Sequence, residues 1–129
     1  MKRSLILIPV LFAILSFVAF AQSPSLAITT QPTPTTIMYA GSITGSLTVA
    51  ANATGGASLS YQWFRNTSNS NAGGTAIAGA TGASMPIPTD LLPGAHFFFS
   101  EVSAAGVAVA VRSNVATVMV FEFDEDCEL

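Results

Sequence analysis

Between residues 27 and 120 the chain reads as a series of short strands, several of which alternate apolar and polar side chains with a period of two. Turn residues break the pattern about every 8–12 positions, the spacing of an all-β sandwich or barrel. No stretch sustains the three-to-four spacing of an amphipathic helix. Residues 27–31 read as a short first strand, stopped by Pro32 and Pro34, and residues 36–40 continue it after the break. Residues 46–53 put Leu47, Val49 and Ala51 on one face, and Thr54-Gly55-Gly56 turns the chain. Residues 58–65 bring Leu59, Tyr61 and Trp63 together. A polar loop at 66–74 leads to a short strand at 75–78 and a turn at 79–82. Residues 83–88 carry Met85 and Ile87 inward, and Pro93-Gly94 marks a corner. An aromatic strand at 95–104 follows. The last strand, at 107–120, has an expected kink at Arg112-Ser113-Asn114.

Ahead of these strands the pattern changes. Met1-Lys2-Arg3-Ser4 is basic, residues 5–20 are almost wholly apolar, and Ala19-Phe20-Ala21 fits the small-x-small rule of signal peptidase. The run contains Pro9 and is shorter than the roughly 20 residues a membrane span requires. Residues 1–21 are therefore expected to be a cleaved signal helix, with mature chain starting at Gln22, and the protein to be secreted or displayed at the cell surface. A membrane would be met only through this segment, if it stayed uncleaved. Residues 22–26 are a linker, 27–120 one β-domain, and 121–129 an acidic tail.

Loss of the leader leaves Arg65 and Arg112 as the only cations against seven acids, a net charge of −5. Two arginines cannot neutralise a run of phosphates, which excludes nucleic acid as a partner. Cys127 has no partner in the chain, so no disulfide framework exists, and the carboxylates around it disfavour the thiolate. The inventory for catalysis is equally thin. His96 is the only histidine and lies inside a strand; Asp90 and Ser100 are available, but nothing in the sequence aims them at it. One histidine and one remote cysteine make no zinc site, and the acids of the tail lack the spacing of a calcium loop. Gly73-Gly74 is not followed by the lysine of a phosphate loop. No enzyme, cofactor or metal is expected. The 66–74 loop reads as a mobile spacer, or else as a polar contact for a glycan or adhesin.

Specific residues carry a resemblance. Leu59-Ser60-Tyr61-Gln62-Trp63-Phe64 resembles strand C of a cysteine-free bacterial immunoglobulin-like repeat of secreted and cell-surface proteins, Bacteroidetes type. Residues 73–81 resemble its return, Pro93-Gly94-Ala95-His96-Phe97-Phe98-Phe99 its strand F, and residues 113–120 its strand G. The resemblance implies an immunoglobulin-like β-sandwich of about seven strands in two antiparallel sheets. Where disulfide-bonded members bridge strands B and F, this chain has small residues near Ala51 and Ser100, leaving room for Trp63. The tyrosine-corner position is Phe98, which has no hydroxyl to donate.

In such a sandwich Trp63, Tyr61 and Phe98 are the expected core anchors, with Leu47, Val49 and Val118 around the indole. Strands C, F and G share one sheet. Alternation then turns Phe64, Phe97, Phe99 and Met119 outward as an apolar stripe, which is either covered by the first strand, the acidic tail or a local bulge, or open as a candidate interface for a second copy or a neighbouring domain. The expected role is a non-enzymatic module for adhesion, protein binding or spacing. The alternatives are a carbohydrate-binding accessory module with a glycan partner, which would need an exposed aromatic platform, and a fragment of a longer surface repeat protein.

Overall fold

Prolines at 32 and 34 divide the start of the chain between two layers, and that division shapes the whole sandwich. The structure, a computed structural model, describes residues 24–125. The expected leader, and the tail from residue 126, lie outside the described residues. Within them the regular structure is β-strand, apart from one 3-10 turn at Thr54–Gly56.

The first strand, β1 (Leu26–Thr30), pairs antiparallel with β4 (Ala50–Ala53). Proline has no N–H to continue a ladder, so the chain leaves this layer at Pro32. It crosses to the opposite sheet as β2 (Thr35–Tyr39), which runs parallel to the last strand, β10 (Ala116–Phe121). The expectation of one interrupted strand, and of purely antiparallel pairing, is corrected here. The two halves belong to different sheets, and the β2–β10 pair is parallel.

The larger sheet has the order β2–β10–β8–β5–β6, where β8 is Gly94–Ala104, β5 is Leu59–Asn66 and β6 is Thr75–Ala76. The facing layer is built from β1, the interrupted strand β3 (Ser46–Thr48) and β4, and β7 (Ser84–Pro86), which pairs with β3. At the interruption Val49 N–H donates to the Ala83 carbonyl at 2.9 Å, so the layer stays closed.

The kink in the last strand is a β-bulge. Its first piece, β9 (Val111–Arg112), pairs with Val102 and Glu101, while Ala116 pairs with Phe98. Residues 113–115 therefore stand opposite only 99 and 100, one residue too many for a regular ladder. Ser113 closes the gap. Its N–H donates to the Ser100 carbonyl at 2.8 Å, its Oγ accepts from Ser100 N–H at 2.9 Å, and the same hydroxyl donates to the Asn114 carbonyl. The strand begins only at Val111, later than the alternation suggests, because 105–110 is a turn.

The core lies between the layers. Trp63 is fully buried among Leu47, Val49, Met85, Phe98, Val102 and Val118, with Tyr61 and Leu59 half-buried at its border. The indole Nε1–H donates to the Gly82 carbonyl at 2.9 Å, which satisfies the one polar atom such a ring carries inward.

Candidate interaction surface

The outer face of the larger, six-stranded sheet, which includes β9 beside β8, carries the large apolar side chains that the core does not use. Register places Phe64 opposite Phe99, Phe97 opposite Thr117, and Ala95 opposite Met119. On β10 and β2, Met119 neighbours Ile37 and Phe121 neighbours Tyr39. The face then divides into a covered half and an open half.

On the covered half, Phe64 and Phe99 stack with ring centroids 5.2 Å apart and planes within 1° of parallel. The Arg112 guanidinium sits 5.1 Å from each ring centroid. Its Nε donates to Glu101 at 2.8 Å, and one terminal nitrogen donates to the carbonyls of Asn71 and Gly73 at 2.7 and 2.9 Å. A planar, permanently charged fork can satisfy all of these at once, which a lysine cannot. The 66–74 loop is held from its own side as well. Asn66 Nδ2 donates to the Ser70 and Ala72 carbonyls, and Asn71 Nδ2 to the Ser113 carbonyl. The loop thus lies on the sheet, and Gly74 packs directly against the edge of Phe99. Phe99 is 0% exposed although it points away from the core. Phe64, Phe97 and Met119 are half-buried. Of the stripe through Phe64, Phe97, Phe99 and Met119, the centre is covered, and what covers Phe99 is Arg112 together with the loop that composition alone marks as a spacer.

On the open half, Ile37 is 61% exposed, Tyr39 49%, Phe121 45% and Phe123 69%. Tyr39 meets both phenylalanine rings. Tyr39 lies 6.4 Å from Phe121 at a tilt of 46° and 6.2 Å from Phe123, edge to face. Such pairs stabilise each other modestly and hold the cluster in one shape. By sequence, Phe121 and Phe123 fall in the acidic tail, and Ile37 and Tyr39 carry no assigned role. Two signals were present: the alternation of Thr35, Ile37 and Tyr39, and the aromatic–acid alternation Phe121-Glu122-Phe123-Asp124.

The remaining chemistry is scattered. His96 Nε2–H donates to the Leu92 carbonyl at 2.6 Å and faces a groove of about 730 Å³ at one end of the sandwich, with Arg65 and Asp90 on its rim. Ser100 is buried beside Trp63 in the ladder, roughly 13 Å from His96 along the strand at 3.3 Å per residue. Asp90, His96 and Ser100 therefore do not meet as a hydrolytic triad. No cluster of three metal-ligating side chains occurs among the described residues.

Among solved structures the chain is similar to the immunoglobulin domains 1–5 of Sidekick-1, at 22% identity and a TM-score of 0.56. That match covers 75% of this chain, which spans 19% of the Sidekick-1 chain. A second similarity is to an immunoglobulin chain in the complex of titin M10 with obscurin-like 1, at 18% identity and a TM-score of 0.50. It covers 79% of this chain and 97% of the other. The fold is immunoglobulin-like, and these likenesses assign no bacterial family. No model of a known protein family and no curated protein matches the chain.

Proposed function

We propose that this chain is a secreted or cell-surface immunoglobulin-like module whose work is protein binding, in adhesion or as a spacer, and not catalysis. The observation that carries the reading is the open aromatic face of Ile37, Tyr39, Phe121 and Phe123 on an otherwise well-packed sandwich. A contiguous exposed apolar patch is the usual mark of an interaction site. Immunoglobulin-like domains are generally non-catalytic, and one of the two structural neighbours occurs in a complex between proteins. Export rests on the leader-like pattern of residues 1–21. A glycan platform is less well supported. The single tryptophan is buried, and Tyr39 meets its aromatic neighbours at angles of 46° and 84°, which gives no flat stacking surface.

The test is bead adhesion. Beads coated with the chain are applied to cells of its source, after treatment with protease or with periodate. The reading expects adhesion to be lost with protease and kept with periodate. Loss with periodate alone would make the partner a glycan and overturn it.

A further inference from the structure

The reading as a protein-binding module is the premise for how the partner docks beside the aromatic face and what chemistry it carries. We infer that the free edge of β2 and the aromatic face beside it take up an extended segment of another protein, apolar at alternate positions and carrying lysine or arginine at its end.

Strand β2 is the outermost strand of its sheet. Its even-numbered residues face β10, as shown by Thr117 N–H donating to the Pro34 carbonyl and Ala40 N–H donating to the Phe121 carbonyl. In a parallel ladder the alternate residues then point their backbone groups the other way. Thr35 and Ile37 direct N–H and C=O to the edge, as Tyr39 does its N–H. Exposed edges are normally blunted by lysine, by proline or by a bulge within the strand. Thr35-Thr36-Ile37-Met38-Tyr39 contains none of these. It is uncharged, rich in β-branched and aromatic residues, and straight in register with β10 over its full length. Strand addition to such an edge supplies backbone hydrogen bonds, and pockets for alternate side chains supply the choice of partner.

Two neighbouring features define that choice. Residues of the added strand on the outer face would lie beside Ile37 and Tyr39, and so call for apolar side chains. At the end of β2, a shallow depression of about 570 Å³ is lined by Ala40, Ser42, Pro93, Glu122, Phe123 and Glu125. It offers two carboxylates and an aromatic ring, which suits a long cationic side chain: the stem packs on the ring and the charge meets the acids. The described residues provide no cation of their own there. Arg112 is engaged by Glu101, Asn71 and Gly73, and Arg65 lies at the rim of the other groove, on β5. A second copy would bring an uncharged β2 and leave these acids unmatched, so the occupant is a different chain with basic residues.

The experiment titrates the 15N-labelled chain with a capped octapeptide, Lys-Thr-Val-Thr-Ile-Thr-Val-Lys, and with its counterpart in which glutamate replaces both lysines. Binding of the lysine peptide is expected to be at least about tenfold tighter, a difference of one ordinary charge interaction. Amide exchange at Thr35, Ile37 and Tyr39 should slow with the lysine peptide. Ile37→Pro removes an edge N–H that β10 does not use, and should abolish binding with the melting temperature nearly unchanged. Ile37→Val should bind as the parent does. Should Ile37→Pro fail to fold, the pair Tyr39→Ser with Phe121→Ser tests the face, and Glu122→Gln with Glu125→Gln tests the cation preference. Equal binding of the two peptides, protection elsewhere on the chain, or self-association through β2 that excludes the peptide would each overturn the inference. If Ile37→Pro beads still adhere in a protease-sensitive way, the edge assignment falls while the binding role stands.

Discussion

Gly73 and Gly74 are adjacent, share a left-handed backbone, and differ in what lies beneath them. Their φ angles are +69° and +85°. Alanine at either position meets a conformation that costs an L-residue about 1–2 kcal/mol, partly offset by about 0.4–1 kcal/mol from a stiffer unfolded chain. For Gly73 that is the whole effect, since a Cβ there would have no heavy atom within 4 Å. Gly73→Ala is therefore expected to cost about 1 kcal/mol. At Gly74 the Cβ would lie 3.0 and 3.1 Å from Cζ and Cε1 of Phe99 and 3.1 Å from the Arg65 carbonyl oxygen. Ordinary carbon contacts are about 3.5–4.0 Å. The ring cannot swing away, because Phe99 is fully buried under Phe64 and Arg112, and the carbonyl belongs to the ladder. Overpacking of this kind adds about 1–3 kcal/mol, so Gly74→Ala should cost about 2–4 kcal/mol. Urea unfolding of the two variants reads the difference directly. At this size each kcal/mol also lowers the melting temperature by about 4–8 °C. Phe99→Leu should relieve part of the Gly74→Ala cost and none of the Gly73→Ala cost, a coupling that independent sites do not show. If the two alanines differ by less than about 0.5 kcal/mol, the loop does not roof Phe99, and the outer face must be redrawn with an open centre.

Two further outcomes follow from the same region. Arg112→Met keeps much of the stem but loses the bonds to Glu101, Asn71 and Gly73, and should cost about 1–3 kcal/mol, with faster amide exchange across 67–74. Glu101→Gln should cost less, since that ion pair is a third exposed on each side and the carbonyl bonds remain. The two serines that face each other across the bulge should respond in opposite senses. Ser100 Oγ is buried without a hydrogen-bond partner, so Ser100→Ala should leave stability unchanged or raise it by up to about 1 kcal/mol; Ser113→Ala strands the Ser100 N–H and should lower it by about 1–3 kcal/mol. Thermal melts of both variants check the pair, and a Ser100→Ala loss as large as that of Ser113→Ala would refute the account.

Alternation along the chain determined where strands form and which way each side chain points. A period of two is a local property, and Leu47, Val49, Trp63, Met85, Phe98 and Val118 are inward for that reason. The turn residues placed the corners, and Arg112-Ser113-Asn114 marked the bulge, because turn chemistry is local as well. Period two says nothing about what lies above a face. Phe99 points outward and is nevertheless buried, because Arg112 reaches across to carbonyls some 40 positions earlier and brings the loop down. Loop composition could not reveal this, since the same Asn, Ser and Gly residues serve a free spacer and a tethered roof equally well. Nor could alternation reveal which strand becomes the edge. The prolines at 32 and 34 show that the first strand breaks, but only the sandwich decides that the chain crosses layers and lies parallel to β10, pairing Thr35 with Thr117. That long-range choice places Ile37 and Tyr39 beside Phe121 and Phe123, and so moves the open apolar surface from the centre of the sheet to its edge.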